Sequence, residues 1–349
     1  MSTVSFATHE VEKAVTTFKS KCAENHGYKS ENISTGFSVE PTRAQKINTK
    51  VQEKNDFLAK INILPVRDLV GENILIGVAG PSSSRTNTSA GNKREPKVYP
   101  QLEGFTYELH KTNTDVLFTY AQIDTWRKFP DFVERMTNSS LHRIGLDRVM
   151  CGWYGESAAK DTDISTHPQL QDLNKGWMQY MRDKLPANIL SEGKTAGELR
   201  IGKSGDYETL DQAVADLLTT IEDAGLDTTD LVVLVGRDLM QQERERVYNN
   251  ALTPEQKQVH ENARVTFGGV PVEKAPSLPP RFLAVTPLSN LSIYHQEDSW
   301  RRKVDDQPEY DRMVDYTSRN EGYVVEDPRL FVAVEFKNVK LPAAGDTWA

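Results

Sequence analysis

The sequence predicts an α+β protein, and three observations carry that expectation. A helix of about six turns is encoded near residue 140. From Tyr207 helix and strand patterns alternate, and two β-prone arms flank a long polar tip ahead of both. With 349 residues the chain can bury a sizeable core, across two or three domains.

The chain opens on an amphipathic helix over 8–24, where Val11, Val15, Phe18 and Cys22 recur at helical spacing. That helix has no core of its own. The following NHGYKSENISTGFSVEPT is polar and turn-rich and reads as an extended linker. A short helix is expected over 51–61, ending before Pro65. Next, ENILIGVAG at 72–80 is β-prone and leads into PSSSRTNTSAGNKREP, a tip with no apolar residue larger than Ala90. TYELHKTNTDVLFTY then returns with Val116, Phe118 and Tyr120 alternating. Such arms predict a β-hairpin projecting over roughly 67–120, since compact domains seldom keep so long a loop without a use for it.

Pro130 opens the long helix, which runs to about Trp153 with Val133, Met136, Ser140, Ile144 and Cys151 near one face. A second helix is expected over 170–185, with Leu170, Leu173, Trp177 and Met181 on one side and a stop at Pro186. YETLDQAVADLLTTIEDAG reads as a helix with Gly225 beyond its end. LVVLVG is a buried strand and RDLMQQERERVYNNA another helix. RVTFGGVPVEKAP and FLAVTPLSNLSIYH supply strands, and YDRMVDYTSRNEGYVVED and RLFVAVEFKNVKL close the chain in β-prone runs.

Charge and composition narrow the chemistry. A net charge of −8 argues against a dedicated nucleic-acid binder. No apolar run approaches the roughly 20 residues of a membrane span. MSTVSFATHEVEK lacks the basic start and apolar stretch of a secretory signal. Cys22 and Cys151 are the only cysteines, too few for a disulfide framework or a four-cysteine zinc site, and the seven histidines show no ligand spacing. A reducing cytoplasm is the expected setting.

One stretch fits a phosphate-binding pattern. GELRIGKS, Gly197 to Ser204, matches G-x-x-x-x-G-K-[ST]. Its context argues against a nucleotide. LSEGKTA is polar where a buried strand should lead in, and Leu199 and Ile201 are bulky where the loop must curl. Gly205 weakens a helix at Ser204, and Asp206 and Thr209 mark a later helix start. LVVLVGRDLM resembles the entry to a dinucleotide fold but lacks G-x-G-x-x-G. Asp161, Asp163 and His167 are a candidate metal set, more simply read as a polar loop. Asp305, Asp306, Glu309 and Asp311 are candidate paired carboxylates, more simply read as a solvated acidic loop. No G-x-S-x-G nucleophile motif occurs.

The order of parts and several local matches resemble a known family. They are FSVEPT at 37–42, NDFLAKINILPV at 55–66, IGVAG at 76–80 and LQDLNKGWMQYMRDKLP at 170–186. IGKSGDYETLD at 201–211, DLVVLVGRDL at 230–239, NLSIYHQEDSWRR at 290–302 and YVVED at 323–327 continue the series. Together they resemble the major capsid proteins of Peduovirus-type tailed bacteriophages, which have the Hong Kong 97-type capsid fold.

That resemblance implies an α+β chain divided as follows. A scaffold-like segment, 1–37, is removed on maturation, and 38–66 is an N-terminal arm. The extended hairpin loop is 67–121, and 122–205 is a peripheral domain with a spine helix. The axial domain is 206–300, and 301–349 returns to the peripheral domain. It implies self-assembly as hexamers and pentamers into an icosahedral head, assembled in the host bacterial cytoplasm. The implied partners are an internal scaffold, a maturation protease, portal and head-completion proteins, and double-stranded DNA contacted weakly. It implies no enzyme activity, cofactor, metal or membrane, and a processing junction at Phe37–Ser38. Two other classes stand beside it: an α/β enzyme with 206–300 as substrate lobe, and a phosphate-loop ATPase.

Overall fold

The computed structural model describes residues 16–17, 19–20, 37–38, 41–53, 55–77, 93, 101–126, 132–226, 228–250, 266–343 and 347–348. Mixed helix and sheet is observed, organised by a seven-stranded and a six-stranded sheet. Of the N-terminal helix expected over 8–24, residues 16, 17, 19 and 20 are helical, and the remainder lies outside the described residues. So does the hairpin tip at 81–96, apart from Lys93.

The seven-stranded sheet is built round the 14-residue strand Arg312–Val325, rich in the β-branched and aromatic residues that suit a pleated surface. One edge of it pairs antiparallel first with Arg301–Gln307 and then with Leu291–Gln296. Its other edge takes Val116–Thr119 and His110–Asn113. Asn62–Val66 adds in parallel beside Leu291–Gln296, and the two-residue strand Phe37–Ser38 lies against Arg301–Gln307.

The projecting hairpin is therefore shorter than 67–121. Its ladder joins Val70–Gly77 to Gln101–Glu108, from Val70 opposite Glu108 to Gly77 opposite Gln101. Residues 110–119 leave it for the body sheet, where their alternation matches an exposed face and a covered one.

Helix α1, Pro41–Glu53, corrects the helix expected over 51–61. Proline suits a first helical position because its missing N–H is unpaired there anyway. After Glu53 the chain turns, and Asn55 Oδ1 accepts from the N–H groups of Phe57 (3.1 Å) and Leu58 (3.4 Å). Phe57, Leu58 and Ile61, which fall within the expected helix, instead lie in and just after this turn and are buried in the core. A short helix α2, Tyr120–Trp126, precedes the long helix α3, Phe132–Tyr154, whose 23 residues match the helix expected from Pro130 to about Trp153.

Helix α4 spans only Trp177–Lys184, not 170–185. Leu170 has φ 61°, and the chain reaches Gly176 through turns. Gly176 must be glycine at this crossing: a Cβ there would sit 2.4 Å from the Gly152 carbonyl oxygen. That approach brings Trp177 edge-on to Trp153, centroids 4.8 Å apart, with Phe282 5.2 Å from Trp153 and Tyr323 5.4 Å from Trp177.

The six-stranded sheet runs Thr266–Phe267, Val270–Glu273, Val232–Val235, Leu283–Thr286, Val332–Val334, Ile189–Leu190. Alternate residues serve two cores. Leu234, Ala284 and Ala333 face the tryptophan core, whereas Val233, Val235, Leu283, Val285, Val332 and Val334 face a second one. Helix α5, Leu210–Asp223, closes that second core with Leu210, Ala213, Val214, Leu217 and Ile221. A sheet covered on both faces accounts for the unbroken apolar run LVVLV. Helix α6, Arg237–Asn250, follows. Two strands of this sheet come from outside 206–300, and Leu291–Gln296, inside that interval, joins the other sheet.

Candidate functional site

The GELRIGKS stretch has no free cradle for a phosphate. Leu199–Arg200 is a strand parallel to Val339–Lys340, with the Leu199 N–H on Asn338 O (2.9 Å) and the Ile201 N–H on Lys340 O (3.0 Å). The Gly202 N–H donates to Tyr207 O (2.7 Å) and that of Gly205 to Gly202 O (2.9 Å). Asp206 takes the N–H groups of Lys194 (2.8 Å) and Arg200 (2.9 Å) on its two carboxylate oxygens. The following helix starts at Leu210, capped by Thr209 Oγ1 accepting from the Gln212 N–H. Most of the backbone donors a phosphate would need, from Gly197 to Gly202, are spent on the fold. The glycines have other work: a Cβ on Gly202 would meet Pro342 at 2.4 Å, and one on Gly205 would meet Trp348 at 2.9 Å. Lys203→Ala should leave the fold and its thermal stability intact, and the wild type should bind no ATP at millimolar nucleotide. Hydrolysis abolished by that substitution would contradict this account.

The other candidates are also structural. In LVVLVGRDLM the Gly236 N–H bonds to Phe282 O (2.7 Å) and that of Asp238 to Pro280 O (2.9 Å), occupying the turn. Asp163 closes a local turn, accepting from the Ser165 N–H (2.9 Å) and from Thr166 Oγ1 (3.1 Å). Those bonds hold its carboxyl below the usual range. Among the described residues no group of three His, Cys, Asp or Glu side chains is placed to hold a metal. Asp305 and Asp306 lie in the strand Arg301–Gln307 rather than in the expected acidic loop, and Asp306 Oδ1 accepts from Tyr120 Oη (2.7 Å). Only Glu309 and Asp311 occupy the turn beyond. A cavity of about 170 Å³ between Ile189–Leu190 and α5 holds Glu192 and Asp216, but Gly197 N–H and Tyr207 Oη already engage these carboxylates. Cys151 is buried, and burial pushes its thiol up to about 12. No described helix is long and apolar enough to cross a membrane.

A polar cluster at the heart of the subunit went unread in the sequence. Arg148 of α3 and Arg319 and Glu321 of the long strand are each at most 3% exposed. Arg148 Nη2 donates to Glu321 Oε1 and, at 3.0 Å, to Asn48 Oδ1 of α1. Arg319 Nε lies 2.5 Å from Glu321 Oε1, and its guanidinium covers the Trp300 ring at 5.5 Å. Burial pushes the Glu321 carboxyl up, but Arg148 and Arg319 outweigh it and hold the group ionised below its ordinary value. Burial lowers His295 to about 4, so this neighbour of Asn48 (3.4 Å) is neutral. Two guanidiniums thus share one carboxylate. The signal was the charge pair Arg319 and Glu321 just before the apolar YVV that ends the strand, alternate positions on a face that must be buried.

Outward-facing features are of another kind. The hairpin base docks through Tyr107 on Tyr294 (centroids 5.1 Å apart) and Asn73 Nδ2 on Glu326 Oε2 (2.7 Å). Leu64, Leu69, Val70, Leu117 and Tyr310 stay exposed. Phe37–Ser38 forms an edge strand opposite Arg302 and Arg301.

A sequence profile described as "Phage major capsid protein, P2 family" matches residues 14–336. The chain belongs to that family. The "Capsid proteins" of Escherichia phage P2 are 37% identical over 319 residues, covering 89% of each chain. The "Major capsid protein" of Serratia phage KSP20 is 30% identical over 304 residues, covering 84% of this chain and 87% of the relative. Among solved structures, a chain of the satellite phage P4 procapsid including size determination (Sid) protein superposes with a TM-score of 0.76. It is 36% identical, and 87% of this chain and 93% of that one are covered. This capsid protein is a structural component of a phage virion that assembles with itself into a shell. It is not an enzyme, which sets aside both the α/β-enzyme and the ATPase readings.

Proposed function

We propose that the chain assembles as hexamers and pentamers into an icosahedral head around phage double-stranded DNA. In this reading, 122–205 and 301–349 form the peripheral domain and 206–300 most of the axial domain, while the hairpin whose ladder joins Val70–Gly77 to Gln101–Glu108 reaches a neighbouring subunit. The observation that carries it is the 37% identity to a phage capsid protein across 89% of both chains. The hairpin supports it physically: a two-stranded ladder is marginal in water and gains burial by lying on something else. The net charge of −8 suits a wall that must not grip its cargo, because tight phosphate contacts would hinder packaging and ejection. Assembly takes place in the bacterial cytoplasm with an internal scaffold and a maturation protease, and portal and head-completion proteins join the shell.

The N-terminal segment 1–37 is removed between Phe37 and Ser38 as the head matures. It carries an amphipathic stripe suited to docking on a scaffold, and cutting it makes assembly irreversible. Negative-stain microscopy of the purified protein should show shells or capsomers, and a small fixed oligomer alone would count against the assembly. Mass spectrometry of DNA-filled particles should find a chain beginning at or within a few residues of Ser38. An intact Met1 or Ser2 terminus there rules out processing.

A further inference from the structure

The junction is extended, as a protease requires, yet it is paired. Phe37 and Ser38 are the outermost strand of the seven-stranded sheet, in antiparallel register with Arg302 and Arg301. A protease holds the residues around a scissile bond along the backbone and from both sides, so a bond within a ladder is cut from an opened state. The partner strand has little freedom to move away. Arg301–Gln307 is paired along its full length with Arg312–Val325, and Arg302 is clamped by Asp315 through Nε (2.8 Å) and Nη2 (2.5 Å). Opening must come from the 37–38 side, where, among the described residues, the pairing comprises Phe37 opposite Arg302 and Ser38 opposite Arg301.

Resting on the processing reading, we infer that the pairing of Phe37–Ser38 with Arg301–Arg302 gates maturation. The bond is cut only when this strand has lifted, so whatever lifts it in the assembling shell licenses the cut. In the cut itself, water adds across the bond between the Phe37 carbonyl carbon and the Ser38 nitrogen. Phe37 leaves as a carboxylate, and the Ser38 nitrogen takes up the protons as an α-ammonium. Re-pairing would then bring that ammonium back to the strand carrying Arg301 and Arg302, where positive charges repel. The gate thus resists closing again.

The test uses the full chain with Ser38→Cys and Arg301→Cys. Opposed residues in an antiparallel ladder have Cα atoms about 4.5 or 5.5 Å apart, inside the roughly 4.4–6.8 Å range of disulfides. Chymotrypsin, which cuts after aromatic residues, is the probe at Phe37. Oxidised protein should release the fragment beginning at residue 38 about tenfold more slowly than reduced protein, with dithiothreitol restoring the rate. Equal rates in the two redox states overturn the gate. If the double variant does not fold, hydrogen exchange on the unaltered chain decides: slowed exchange across 37–38 and 301–302 supports the gate, and exchange at unstructured rates at 37–38 overturns it. An intact N-terminus in mature particles overturns the processing reading instead, so the two failures are distinguishable.

Discussion

Glu321→Gln should destabilise the subunit by about 3–5 kcal/mol, the range for removing one partner of a buried ion cluster. Glu321 is 1% exposed and is the carboxylate facing both Arg148 and Arg319. An amide of the same size keeps the shape and removes the charge. Two guanidiniums then remain buried with several N–H groups already unpartnered, including both Nη1 atoms. The effect should spread beyond the cluster, because Arg148 ties α3 to Asn48 of α1 while Arg319 and Glu321 belong to the central strand. Urea unfolding of dispersed subunits, followed by tryptophan fluorescence, measures the loss. Replacing Arg148, Arg319 and Glu321 together by Met, Leu and Met should cost less than Glu321→Gln alone, since no buried charge is then stranded. A Glu321→Gln loss below about 1 kcal/mol, the scale of an exposed pair, would show the cluster to be effectively solvated.

The same cluster marks the limit of what could be read in advance. Local signals were legible where one element decides its own form. The length of α3, the Thr209 start of α5, its Gly225 stop (φ +68°) and the buried strand Val232–Val235 follow from periodicity and capping alone. Segments whose form depends on distant partners were misread. Phe57, Leu58 and Ile61 have helical spacing, but they fill a core reached from a turn. Leu170 and Leu173 extend the stripe of Trp177 and Met181, yet the Gly176 crossing over Gly152 forces the helix to start later. Residues 110–119 look like a hairpin arm until the long strand, some 200 positions further on, offers them an edge. Arg148 and Glu321 lie 173 residues apart, and charged residues taken singly read as surface. The family was legible because its matches are collinear, whereas the phosphate-loop match was isolated and served packing against the C-terminal strands.

Trp177→Ala should cost about 3–5 kcal/mol, the range for truncating a large buried aromatic. Trp177 is 0% exposed and sits where α3, α4 and the central sheet meet. Its ring stands edge-on to Trp153 and Tyr323, an arrangement favoured by the aromatic quadrupole. The indole Nε1 donates to Ser292 O at 3.0 Å, so truncation also leaves a buried carbonyl without this donor. The cavity cannot close easily. Gly152 already has its backbone against the ring, a Cβ there falling 2.3 Å from it, and the Gly155–Gly176 contact behind it is backbone on backbone. Trp177→Phe should cost distinctly less, since most of the ring volume remains and only the hydrogen bond and part of the packing are lost. Because this core joins α3 to both sheets, Trp177→Ala should lower the yield of closed shells even at temperatures where the subunit stays folded. Thermal unfolding and particle counts on the two variants test this together. If alanine and phenylalanine prove equally mild, the tryptophan contact does not hold α3 to the sheets.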